Sequence, residues 1–124
     1  MNLKIDTKEK FNEITVLEPI LSANMTGEIE NLFIPFLDSN VKNIVLSLSQ
    51  VQSVNKEVAE KFAAVQQKFY EQNASFVTWG IQPEVEKIFI EEDLMEQMNV
   101  APSLSEAWDI VQMEEIEREL LDNF

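Results

Sequence analysis

The chain of 124 residues contains no cysteine and no histidine, and it has only two glycines and four prolines. Each absence closes a class of chemistry. Without cysteine there are no disulfides, no thiolate nucleophile and no sulfur-ligated zinc or iron–sulfur centre, a composition that suits a reducing compartment. With histidine missing as well, Ser-His and Cys-His catalysis and most transition-metal sites are excluded, so an enzyme would have to work with carboxylate, Lys, Tyr or hydroxyl groups. The glycines, Gly27 and Gly80, stand far apart and make no phosphate-cradling loop. No cofactor or metal is expected. No apolar run approaches the roughly 20 residues a helix needs to cross a bilayer. Met1 to Thr15 alternates charged with apolar residues, unlike a signal peptide. A soluble, cytoplasmic protein without membrane insertion is the expectation.

Basic residues are scarce too. Nine Lys and Arg face 23 Asp and Glu, a formal net charge of -14, beyond the magnitude of about 2 to 8 usual for a small soluble domain. Phosphate backbones are repelled by such a chain, so no nucleic acid is expected as a partner. The field could steer in a basic protein surface, or serve solubility alone. The length suffices for one core without covalent or metal staples.

What is present is an alternation of short apolar runs with amphipathic ones. Leu3 and Ile5, then Ile14, Val16 and Leu17, predict an opening hairpin around the charged turn Lys8 to Lys10. Pro19 ends the second strand. Ser22 or Asn24 can cap a helix carrying Met25, Ile29, Leu32, Phe33, Phe36 and Leu37, which Pro35 should kink or end early. Ile44 to Ser49 is a strand apolar enough to be covered on both faces. After it, Val58, Phe62, Val65 and Phe69 recur along one helix face, with Asn55 as cap and Glu57 in the first turn. Asn73 closes that helix, and Ser75 to Trp79 predicts another strand, ended by Gly80. Pro83 opens a short helix whose acidic end, Glu91 to Asp93, should fray or turn away. Met98 to Val100 reads as a short edge strand before Pro102, and Ser103 with Glu106 fits a capping box.

The last helix changes face midway. At about 100° per residue, Leu104, Ala107, Trp108 and Val111 share one side, whereas Met113, Ile116, Leu120 and Phe124 gather on the opposite side. Glu115 stands where the first stripe would continue. We therefore expect a domain over residues 1–111 and an appended acidic, amphipathic segment over 112–124. Strands alternating with helices imply parallel pairs with right-handed crossovers, the hairpin adding an antiparallel part.

In this order and spacing the chain resembles a STAS domain, the fold of bacterial anti-sigma factor antagonists and of the cytoplasmic tails of sulfate transporters, over roughly Leu3 to Val111. The segment IVLSLSQVQSVNKEVAEKF, Ile44 to Phe62, is similar without gaps to the family pattern of an apolar strand, "DLS", "V", and "DSSG" opening a helix. Gly80 to Phe89 and Ser103 to Ala107 match a glycine after the fourth strand and an "S-x-x-EA" entry to the last helix. The resemblance implies an α/β fold, a mixed β-sheet with helices packed mainly on one side. In antagonists the second serine of "DSSG" is phosphorylated by the anti-sigma kinase, which releases the pair. Here Asn55, Lys56, Glu57 and Val58 occupy the four positions. A glutamate cannot be phosphorylated, and it offers one negative charge against about 1.5 to 2 for phosphoserine. Glu57 either imitates the modified state in part or simply suits a helix N-terminus. Of Ser47, Ser49 and Ser53, only Ser53 is expected to be accessible.

The resemblance points to a non-catalytic protein-interaction module with partner contacts at Gln52, Ser53, Asn55, Lys56 and Glu57. The protein partner could be an anti-sigma-type kinase, another STAS protein or a transport complex. A second reading uses Met113, Ile116, Leu120 and Phe124 for self-association as a homodimer, or for docking in a partner's groove. The plainer alternative bends this tail back onto its own domain. An enzyme would need a cleft with a carboxylate pair of separated pKa values. Glu91, Glu92 and Asp93 lack the oxygen spacing and glycine of a calcium loop and read as solvated surface. Trp79 and Trp108, on apolar faces, are expected in the core.

Overall fold

The computed structural model describes residues 1–122. Five strands form the main sheet: β1 (Leu3–Thr7), β2 (Asn12–Val16), β4 (Ile44–Ser47), β6 (Phe76–Trp79) and β7 (Val100–Ala101), side by side in that order. The β1–β2 hairpin is antiparallel and every later pairing is parallel, with Ile14 beside Leu46 and Leu46 beside Thr78. Central β4 is buried along its whole length, as a strand covered on both faces must be.

The period-2 alternation of the strands sorts their side chains between two cores. Ile14, Val16, Ile44, Leu46 and Phe76 face α1 (Thr26–Phe33), α2 (Lys56–Glu71) and α3 (Pro83–Glu91). Val45, Val77 and Ala101 face the single helix on the other side, α4 (Leu104–Asp122). The larger core centres on Phe76, whose ring meets Phe69 and Phe33 edge-on at centroid distances of 5.1 and 5.6 Å. Edge-to-face contact suits the positive ring edge to the negative ring face and adds about 0.5–1.5 kcal/mol per pair beyond area burial.

Local chemistry sets the helix ends. Pro35 lacks an amide hydrogen, and α1 gives way at Ile34 to a 3-10 turn running to Asp38. At the end of α2, Asn73 takes a left-handed conformation (φ 59°), while its amide bonds to Tyr70 O and that of Ala74 to Phe69 O. Asp93 (φ 56°) ends α3 in the same way, with Leu94 N on Phe89 O at 2.8 Å. The acidic end of α3 therefore turns away through a Schellman closure.

Three expectations are corrected. Ser22 and Asn24 do not cap α1: a 3-10 turn over Ala23–Met25 comes first, and the α-helix opens at Thr26 with Met25 at its cap. Trp108 is not core but 43% exposed. It lies about 90° around the helix from the line Ala107, Val111, Glu114, Arg118 that faces the sheet. Nor does α4 bend back at Val111. It continues unbroken to Asp122, and its sheet-facing line carries on with polar residues.

Candidate functional site

The junction between β4 and α2 is built from buried anchors with exposed residues between them. Beyond β4, Leu48 and Val51 are fully buried and close a turn by a Val51 N to Leu48 O bond of 3.0 Å. The chain then meets a partner that the sequence reading missed. Ile20–Leu21 (β3) and Ser53–Val54 (β5) form a separate two-stranded parallel ladder, pairing Ile20 with Ser53 and Leu21 with Val54. The amides of Gln52 and Ser53 donate to Pro19 O at 2.7 and 3.2 Å, and Asn55 N donates to Leu21 O at 3.3 Å. The segment Gln52 to Asn55 thus has much of its backbone bonded to the stretch Pro19 to Leu21.

Asn55 stands in extended conformation before α2, and its Oδ1 accepts the Val58 amide at 3.1 Å, so the cap is formed. Leu21, Val54 and Val58 point inward. Gln52, Ser53, Lys56 and Glu57 are exposed and Asn55 is half-buried. Glu57 lies in the first turn, where the aligned peptide dipoles present their positive end. Lys56 Nζ is 3.9 Å from Glu92 Oε2, a surface pair worth little by itself.

One apolar neighbour joins this surface through the ladder: Ile20, beside Ser53, is 60% exposed. An apolar pair after a proline is too short to show a period, so only the pairing partner could have drawn attention to Ile20. On the far side of the turn, Gly80 (φ 73°) passes so close to Ser49 that a β-carbon would lie 3.0 Å from the serine's Cβ. Gln82 Nε2 donates to Ser49 O at 2.7 Å. Ser53 is exposed as expected, but so is Ser49, because β4 stops at Ser47. Ser47 is buried, its hydroxyl 2.8 Å from that of Ser49.

Two concavities among the described residues lie elsewhere. One of about 480 Å³ is lined by Lys10, Asn43, Glu115 and Arg118, and one of about 710 Å³ by Gln66, Tyr70, Asn99 and Glu114. Both flank the second half of α4, and neither includes Gln52 to Glu57. Met113, Ile116 and Leu120 are exposed on that half, whereas Phe124 lies outside the described residues. Among the described residues, no three acidic side chains converge as a cation site would require, and no helix is long and apolar enough to cross a membrane.

No family model matches the sequence, and no curated protein does. Solved structures do. The chain is similar to an anti-sigma factor antagonist from Mycobacterium paratuberculosis, with a TM-score of 0.75 and 14% identity over 90% of this chain and 93% of the other. It is similar to a serine-to-glutamate variant of RsbS from Moorella thermoacetica, with a TM-score of 0.74 and 19% identity over 95% and 99%. A component of the stressosome, described as a signal integration and transduction hub, matches with a TM-score of 0.68 and 20% identity over 88% and 96%. The chain has the mixed α/β fold of STAS domains and anti-sigma factor antagonists. At these identities the likeness is one of fold.

Proposed function

We propose that this chain is a non-catalytic interaction module that presents the turn Gln52 to Glu57 and the first turn of α2 to a protein partner. Glu57 serves there as a fixed anion where antagonists of the resembled family carry a switchable serine. One observation carries the reading. Glu57 is exposed on a capped helix start whose approach is held by the β3–β5 ladder. A surface so braced keeps its shape without the partner, which lowers the ordering cost of binding. Ile20 beside it supplies an apolar contact, and Gln52, Ser53 and Lys56 supply polar ones. An anti-sigma-type kinase or another STAS-fold protein is the class of partner that the fold supports.

Affinity capture from the source lysate with the wild-type chain, Glu57→Gln and Glu57→Lys tests it. The reading expects a partner that is retained by wild type, weakened by Glu57→Gln and lost with Glu57→Lys, while all three chains unfold at similar urea concentrations. Equal capture by the three would move the interface off this surface.

A further inference from the structure

The second half of α4 adds nothing to the apolar core, for the buried residues of this helix are Ala107 and Val111. What holds it is polar. Glu114 accepts from Ser75 Oγ at 2.6 Å and from Asn99 Nδ2 at 2.9 Å. Glu115 accepts from Asn43 Nδ2 at 2.6 Å and lies 3.6 Å from Lys10 Nζ, while Arg118 donates to Ser75 Oγ at 3.2 Å. These bonds fix the rotation of the helix about its axis and turn the opposite face outward. There Met113, Ile116 and Leu120 stand 59, 56 and 55% exposed. Large apolar side chains at i, i+3 and i+7 are the anchor spacing of helix-to-helix docking.

Charge decides the occupant. On a wheel of about 100° per residue, Asp109 continues the stripe by one turn, Glu106 and Glu117 border one side and Glu119 the other. All four are exposed. The one cation on α4 itself, Arg118, is engaged with Ser75. The last described turn of the helix has no basic residue to meet the negative end of its dipole. A second copy laid against this face would set acid against acid on a chain of net charge -14. A helix with an apolar stripe bordered by Lys and Arg would satisfy both the apolar line and its acidic margins.

We propose that residues 112–122 form an arm appended to the domain, and that its outer face captures a basic amphipathic helix of a partner protein. This surface is separate from the turn at Glu57, so either can fail without the other.

The test titrates the full chain with three synthetic peptides, followed by amide NMR shifts. One peptide pairs a leucine stripe with lysines, one has the same leucines with glutamates, and one has the same lysines with serines replacing the leucines. Only the leucine–lysine peptide should bind tightly, with shifts centred on Asp109 to Leu121 and affinity that falls as salt is raised. A chain carrying Met113→Ser, Ile116→Ser and Leu120→Ser together keeps its net charge and should bind at least about tenfold more weakly. Equal binding of the serine–lysine peptide would reduce the effect to bulk charge and overturn the proposal. Shifts centred elsewhere would do the same. So would a dimer seen by sedimentation that the triple serine chain no longer forms, because the face would then belong to a second copy.

Discussion

Asn43 and Glu115, 72 positions apart in the chain, share a 2.6 Å hydrogen bond that ties the turn before β4 to the middle of α4. Asn43 is nearly buried and uses both ends of its amide, accepting from Ser75 N at 2.8 Å and donating to Lys10 O at 3.0 Å as well as to Glu115. Asn43→Ala strands the Ser75 amide and should cost about 1–3 kcal/mol in urea unfolding. Asn43→Asp keeps an acceptor for Ser75 but sets two carboxylates together. It should be at least as damaging, and adding Glu115→Gln should restore part of the loss because the new amide can donate. A double variant no better than Asn43→Asp would show that the contact contributes nothing.

The cap of α2 gives a second prediction. Asn55→Ala removes the acceptor of the Val58 amide and should lower stability by about 1 kcal/mol, whereas Asn55→Asp retains the oxygen and should stay close to wild type. Amide exchange at Val58 should quicken in the alanine variant alone. Unaltered exchange there would mean that water replaces the cap without loss.

The two glycines should respond oppositely to alanine. At Gly80, positive φ and the 3.0 Å approach to Ser49 both oppose a β-carbon, so Gly80→Ala should cost about 1–3 kcal/mol. It should also disturb the Gln82 to Ser49 bond. At Gly27 nothing lies within 4 Å of the added carbon, and Gly27→Ala in α1 should stabilise by about 0.4–1 kcal/mol by narrowing the unfolded ensemble. Thermal melts of the pair decide it.

A pH signature should come from Glu30 and Lys61, which bridge α1 and α2 at 2.9 Å. The hydrogen bond from Lys61, and then its charge, hold the Glu30 carboxyl below its ordinary value of 4.5. A carboxyl lowered in the folded state contributes its stabilisation above its unfolded value and loses it as pH falls through the folded one. The difference in Tm between wild type and Glu30→Gln should therefore be small but present at neutral pH and close in acid. It should also shrink with added salt, as befits an exposed pair. A difference that widens on acidification would contradict the assignment.

Much of the fold is legible locally, because one face of each principal element repeats at its own period. The buried run of β4 and the stripe Val58, Phe62, Val65, Phe69 lie in the structure where they are expected. The cap at Asn55 could be read for the same reason, being a matter of three neighbouring residues. The β3–β5 ladder could not, since two residues on each side carry no period and the pairing joins segments more than 30 residues apart. Ile20 was therefore missed as a neighbour of Ser53. Glu115 reads only as the place where the first apolar stripe stops, and no pattern singles out Glu114 or Arg118. Their partners Asn43, Ser75 and Asn99 come from three different connections, and only the assembled sheet brings them under the helix.

The carboxylate on the first turn of α2 is written by the gene and present from synthesis onward. No enzyme has to install it, and no phosphatase can take it off. If this surface is the docking face we propose, a partner meets a carboxylate there in every copy, and a switch by phosphorylation of residue 57 is closed to this chain.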